Sequence, residues 1–280
     1  MSVIPGPSSS LRHEAVSFAG VVERNWYLIK RYGWWELAFF FWSLANTLTI
    51  VFIAKGIKAA GGQIDVNRAT TTLLIGAVIW SYLGLIFEVV TETVAWERWE
   101  GTIEYTFMAP IRRITHLFGI CLFAIGYGLA RTFIVVLIAA AMFSLDFSHA
   151  DIPAALAVLA ASTVPLIGLS ILTSVLPLLS PQKGEQMSVA VQGFLLLVSG
   201  VYYPLSVLPL PMQIAGAASP LTYALEGIRS SLLDGAGLQA QLPTIGILLG
   251  MGAVMIPASL WVFSWAENRA KRLGLLKRSG

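Results

Sequence analysis

The sequence lacks most of what a soluble enzyme is built from. It holds one cysteine, Cys121, inside an apolar run, so no intrachain disulfide can form. Charged residues make up 12% of the chain, about half the usual share of a soluble domain. Its three histidines, His13, His116 and His149, are scattered without metal-ligand spacing, and no thiolates accompany them. No Gly-Lys pair occurs anywhere, which excludes a Walker A loop, whose lysine and backbone amides cradle phosphate. The first ten residues are rich in Pro and Ser and contain no apolar h-region, so no cleavable signal peptide is expected. The net charge of +3 does not point to nucleic acid, because the basic residues flank apolar segments instead of sharing a binding face.

What is present is long apolar sequence. Hydrophobic residues are 56% of the chain and the mean hydropathy is +0.76. Six apolar stretches run over about 34–54, 70–91, 114–143, 153–179, 187–207 and 243–265. A helix needs about 20 residues to cross about 30 Å of hydrocarbon, and each stretch is long enough. The third and fourth exceed that need, which implies tilt or extension beyond the bilayer. Pro165 and Pro177 are expected to kink or end parts of the fourth. The expected fold is an all-α, polytopic membrane protein with six transmembrane helices. With the N-terminus inside, thirteen Lys and Arg fall on inner segments and four (Lys55, Lys58, Arg68, Arg229) on outer ones, with Arg131 left inside a span. That bias and the even count place both termini in the cytoplasm.

Three further segments complete the organisation: a cytoplasmic N-terminus over 1–33, a connection over 204–236 within the transmembrane domain of 34–266, and a basic cytoplasmic tail over 267–280. In residues 11–32, Ala15, Phe18, Val22 and Ile29 fall at helical spacing, with Val21 and Trp26 beside them. This amphipathic pattern suits a helix lying at the membrane surface, and equally a solvated helix packed on its own protein. Residues 204–236 are too apolar for an ordinary outer loop, yet Pro204, Pro209, Pro211 and Pro220 break them too often for one span. Short re-entrant helices between spans five and six fit, with Glu226 and Arg229 at i,i+3 able to pair.

The most informative stretch is Thr91 to Arg113, TETVAWERWEGTIEYTFMAPIRR. Trp96, Trp99, Ile103 and Phe107 are spaced 3, 4 and 4, an apolar stripe, while Glu97, Glu100 and Glu104 form an acidic one about 100° away. The pattern predicts a short two-faced helix, one face resting on the span ends and the other presenting carboxylates outward, with Pro110 limiting it. An interfacial helix with a merely solvated face has the same pattern.

Glu97-Arg98, Gly101-Thr102, Glu104 and Pro110, ahead of a basic pair, resemble the E-R-x-x-G-T-x-E…P pattern of ABC-2 type transporter permeases. The later SGVYYPLSVLP…SPLTYALEGIR, from Ser199 to Arg229, resembles the final third of those proteins. The resemblance implies a permease subunit of an ATP-driven exporter in a prokaryotic plasma (inner) membrane, working by alternating access. It implies that 91–110 couples to a separate ABC ATPase subunit, with Trp96, Glu97, Arg98, Trp99, Glu100, Gly101, Thr102, Glu104 and Pro110 as contact residues. It implies a second permease copy, identical or homologous, and ATP and Mg on the ATPase, with no cofactor in this chain. Related permeases carry drugs, lipids, polysaccharide carriers and ions, and no motif here chooses among them; a lipid, glycan or hydrophobic small molecule is the expected cargo.

Ionisable residues inside spans are costly and so are functional candidates. Glu36 and Glu88 fall near the inner ends of their spans, where snorkelling explains them, whereas Arg131 lies deeper. Trp34, Trp35, Phe39, Phe40, Phe41 and Trp42 open the first span, and an interfacial aromatic belt accounts for the first two. Trp42, Arg131, Tyr202 and Tyr203 are candidate residues of a substrate pathway. An ion- or proton-coupled secondary transporter would show paired mid-depth carboxylates and inverted repeats, and neither is evident. A membrane enzyme acting on lipids lacks a catalytic constellation, since His116 and His149 fall on opposite sides and neither reaches Ser199.

Overall fold

The computed structural model describes residues 7–59, 66–109, 111–143, 149–180 and 183–274, and among them all regular structure is helical. Five helices are long and apolar enough to cross a membrane: α2 (Gly33–Ala59), α3 (Val66–Trp99), α5 (Arg113–Met142), α6 (Ile152–Leu179) and α10 (Leu238–Arg272). Before them lies α1 (Pro7–Arg31), and α4 (Ile103–Met108) joins α3 to α5. The remaining helices are α7 (Gly184–Val198), α8 (Leu210–Ala217) and α9 (Pro220–Leu233), with a single 3-10 turn at Leu205–Val207. The helices alternate in direction, so α1, α4 and the C-terminal end of α10 share one end of the bundle, called the inner end below after the orientation expected from the charge bias. α8 and α9 lie at the other.

α6 is the central element. It packs against α10, α3, α9 and α7, and its contact with α10 is the most extensive in the protein. Asp151 caps it, its carboxylate accepting from the amide of Ala154 at 2.9 Å, and Pro153 occupies the first turn, where no amide partner is needed. The helix runs unbroken through Pro165 and Pro177 to Leu179, so neither proline ends it. Its buried hydroxyls are satisfied locally: Ser162, Thr163, Ser170, Thr173 and Ser174 each donate to a carbonyl three or four residues back. Thr173 also meets Thr91 of α3 at 3.1 Å, the kind of polar contact that joins helices where water is absent.

Two glycines set the α6–α10 distance. A Cβ on Gly168 would lie 2.9 Å from Met255, and one on Gly252 would lie 2.6 Å from Val164. Close backbone approach at small residues is how helices associate when lipid removes the hydrophobic drive between them. α2, by contrast, is peripheral. Only Val51 and its neighbours join a small core with Leu74, Val78, Val135, Ala139 and Phe143, while Trp34, Phe41 and Trp42 stay exposed.

The amphipathic N-terminal segment is a single helix packed on α5, not a free surface element. The face that turns inward carries Phe18, Val21, Val22 and Ile29 of the expected stripe together with Glu14, Asn25 and Leu28, while Ala15 and Trp26 are left exposed. Val21 sits where a Cβ on Gly119 would come within 2.9 Å.

The fifth apolar stretch behaves differently from its sequence. α7 stops at Val198 after 15 residues, or about 22 Å, which falls short of the hydrocarbon thickness. Gly200, at φ +69°, turns the chain. Arg229 of α9 then donates to the carbonyl of Gly200 at 2.9 Å and to that of Val201, so it secures the broken helix end and forms no hydrogen bond with Glu226. Ser199 and Ser219 close the same corner at 2.8 Å.

Replacing Gly168 with Leu forces α6 and α10 apart. Overpacking of a close contact costs about 1–3 kcal/mol, so the variant should melt several degrees below the parent in detergent. An unchanged melting temperature would mean the seam has slack that the geometry does not show.

Candidate functional site

The inner end is organised around one carboxylate. Glu97 sits in the last turn of α3 with its side chain 1% exposed, and Arg24 of α1 reaches it at 2.6 Å. His116 of α5 places Nε2 at 3.5 Å from the same oxygen, too long for a good hydrogen bond but close enough to add attraction when the imidazole is charged. Three helices therefore meet at Glu97. Glu14 reinforces the junction from further along α1, accepting from the Thr115 hydroxyl and lying 3.4 Å from Arg112.

The expected single helix over 91–110 is in fact two. α3 continues without interruption to Trp99, and Gly101 at φ +72° then breaks it. The amide of Thr102 returns to the carbonyl of Glu97 at 2.8 Å, the six-to-one closure of a Schellman cap. Gly101 and Thr102 thus serve the turn, since only glycine adopts that backbone without strain. Ile103 is buried at 1% exposure, on the inward side that the apolar stripe predicts. The break divides the acidic residues: Glu97 points inward, while Glu100 accepts from the Tyr32 hydroxyl at 3.3 Å. Trp96 is part-exposed and packs on Tyr32 with ring centroids 5.4 Å apart. The side chains of Arg98, Trp99 and Glu104, and all of Pro110, lie outside the described residues. Sequence reasoning missed Tyr105 and Met108, which at 74% and 73% exposure form the outward tip of α4. Their i,i+3 spacing inside the quoted motif was the available signal.

Above this junction a cavity of about 850 Å³ opens between α1, α2, α3, α5 and α7. Glu36, Glu88 and Arg131 all line it. Glu36 accepts from the Tyr127 hydroxyl at 2.6 Å, and Arg131 donates to the carbonyl of Phe39 at 2.7 Å with its guanidinium 5.9 Å from the Phe40 ring. Trp42 and Tyr202 share the lining, whereas Tyr203 lies outside it and donates to the carbonyl of Leu197 at 2.6 Å. Among the described residues no group of His, Cys, Asp and Glu could hold a metal ion.

The family model of the ABC-2 type transporter matches residues 19–233, a stretch that includes the Glu97 junction, the cavity and the α7–α9 corner. The chain belongs to the ABC-2 type transporter family. Comparison with curated proteins gives no match. This ABC-2 chain is therefore a multi-pass membrane component of a transporter, not its catalytic part.

The Arg24–Glu97 pair can be separated from the surrounding packing by mutation. Glu97→Ala leaves the Arg24 cation without its partner, and breaking a buried pair from one side costs about 3–5 kcal/mol; because Arg24 is part-exposed, the lower end or below is expected. Hydrogen exchange should rise over α1 in Glu97→Ala and recover when Arg24→Ala is added. Equal protection of α1 in all three proteins would show that the pair does not hold the helix.

Proposed function

We propose that this ABC-2 chain is the permease subunit of an ATP-driven exporter, coupled to a separate ABC ATPase through the α3–α4 corner. The observation that carries the reading is the contrast at that corner. Two large apolar side chains, Tyr105 and Met108, project outward from a six-residue helix whose neighbours are locked to three other elements. An exposed aromatic and a methionine on a rigid support have the composition of an interface hot spot. A push on α4 travels straight into α3, because only the Gly101 turn separates them and Thr102 closes it. Through Glu97 the same push reaches α1 and α5, so the inner ends of several spans move together.

In this reading both termini are cytoplasmic and the membrane is a prokaryotic plasma membrane. α7 begins a fifth crossing that the α8–α9 pair completes as a re-entrant element in the outer leaflet, giving six passes. The Arg229 contacts support it, because irregular backbone is tolerated at membrane depth only where protein satisfies its carbonyls. ATP and Mg bind the ATPase, where nucleotide closure drives the α4 corners of two permease copies and switches access between the two sides.

The test is association. In the double variant Tyr105→Ala/Met108→Ala, insertion and melting temperature should match the parent. Capture of the ABC ATPase subunit should fall at least tenfold, the equivalent of about 1.4 kcal/mol. Undiminished capture and undiminished transport-linked hydrolysis in that variant would move the coupling surface elsewhere, and a parent chain that captures no ATPase would remove the reading altogether.

A further inference from the structure

The cavity at the inner half of the bundle has an unbalanced charge. Setting aside the Arg24–Glu97 pair, and Glu92, which has a partner of its own, three carboxylates of the described lining, Glu36, Glu88 and Glu100, face the single guanidinium of Arg131. Arg131 attracts Glu88 without touching it: its guanidinium donates to the Phe39 carbonyl, and its Nε is buried without a hydrogen-bond partner. Glu36 is held by Tyr127 and Glu100 by Tyr32, both neutral donors that leave the negative charge in place. Glu88 accepts no hydrogen bond among the described residues; half-buried in a spanning helix, it is drawn to Arg131 and repelled by Glu36. It lies about 16 Å along α3 from that helix's inner end. A carboxylate in such surroundings is costly unless a cation joins it.

The rest of the wall suits a particular kind of cation. Trp35, Trp42 and Trp80 line the same space, and indole faces attract positive charge while excluding water. The volume of about 850 Å³ is that of a small-molecule site, far larger than a metal ion needs. α2, which forms one wall, carries exposed aromatic residues, among them Trp35, Phe39 and Trp42 of the lining itself, so an apolar body finds aromatic surface at the cavity's edge.

We propose that this cavity is the loading site of the permease and that it takes an amphipathic organic cation, with Glu88 as the principal counter-charge and the tryptophans around its apolar body. The proposal rests on the permease reading above and narrows its cargo. A lipid or glycan carrier with an anionic head group would meet the wrong sign here, since Glu36, Glu88 and Glu100 outnumber the one arginine.

Tetraphenylphosphonium and tetraphenylborate have the same shape and opposite charge, and so isolate the electrostatic part of the claim. Equilibrium dialysis of the full chain in lipid nanodiscs, corrected with empty nanodiscs, should give saturable phosphonium binding and no saturable borate binding. Glu88→Gln should weaken phosphonium binding at least tenfold. Should that variant fail to fold, Glu36→Gln on the opposite wall keeps the acceptor for Tyr127 while removing the charge, and a clear loss of affinity is again expected. Borate binding as tight as phosphonium, no saturable phosphonium binding, or an affinity unmoved by the folded variant would each overturn the proposal. The measurement needs no ATPase, so a failed cation site with intact ATPase capture leaves the permease reading standing.

Discussion

In a bundle whose outer surface faces lipid, apolar contact alone gives helices little reason to prefer one arrangement over another, and directional polar contacts decide. At the inner end that role falls to the buried carboxylate of Glu97, which binds Arg24 of α1 and lies beside His116 of α5. Glu97 is also the residue whose carbonyl closes the Schellman turn, so one position fixes both the end of α3 and what surrounds it. α4 then has a defined orientation even though it is only six residues long. The cavity above depends on the same contact, because α1 supplies part of its wall and stays in place through Arg24.

The middle of the protein follows a different rule. α6 and α10 approach through Gly168 and Gly252, and the hydroxyls of α6 bond back to its own turns, so a helix with many polar side chains can still sit at the centre of a membrane bundle. The stiffest pairing is thus far from α2, which touches the rest mainly through a small core. The cavity forms between these regions, with α2 and α3 both in its wall and joined there by the Ser43–Ser81 hydrogen bond at 2.7 Å.

Hydropathy was sufficient to locate α2, α3, α5, α6 and α10, because crossing hydrocarbon demands long uninterrupted apolar runs and little else resembles them. It failed at 187–207 for a physical reason. The run stays apolar past Val198, but Gly200 at positive φ and the Arg229 contacts replace helical hydrogen bonds there, and hydropathy does not register either. The 91–110 segment was readable as a feature but not as a shape. Periodicity treats Trp96 to Phe107 as one helix, whereas the glycine inside the stripe breaks it, and Glu97 turns inward while Ile103 stays on the buried side. Arg24, Tyr32 and Tyr127 carried no local signal, since each acts on a partner at least 68 residues away.

The outer end offers a last consequence, for how the chain acquires its topology. In the proposed orientation, with the N-terminus inside, Arg68 and Arg229 are cations that must be carried across the bilayer. The first meets Asp234 at 2.8 Å and the second is absorbed by the carbonyls of Gly200 and Val201. Both therefore gain internal partners once the neighbouring segments assemble, whereas Lys30, Arg31, Arg269 and Arg272 stay exposed beside the other face. The translocated arginines thus end as internal fasteners, while these four basic residues of the other face keep their charge at the surface.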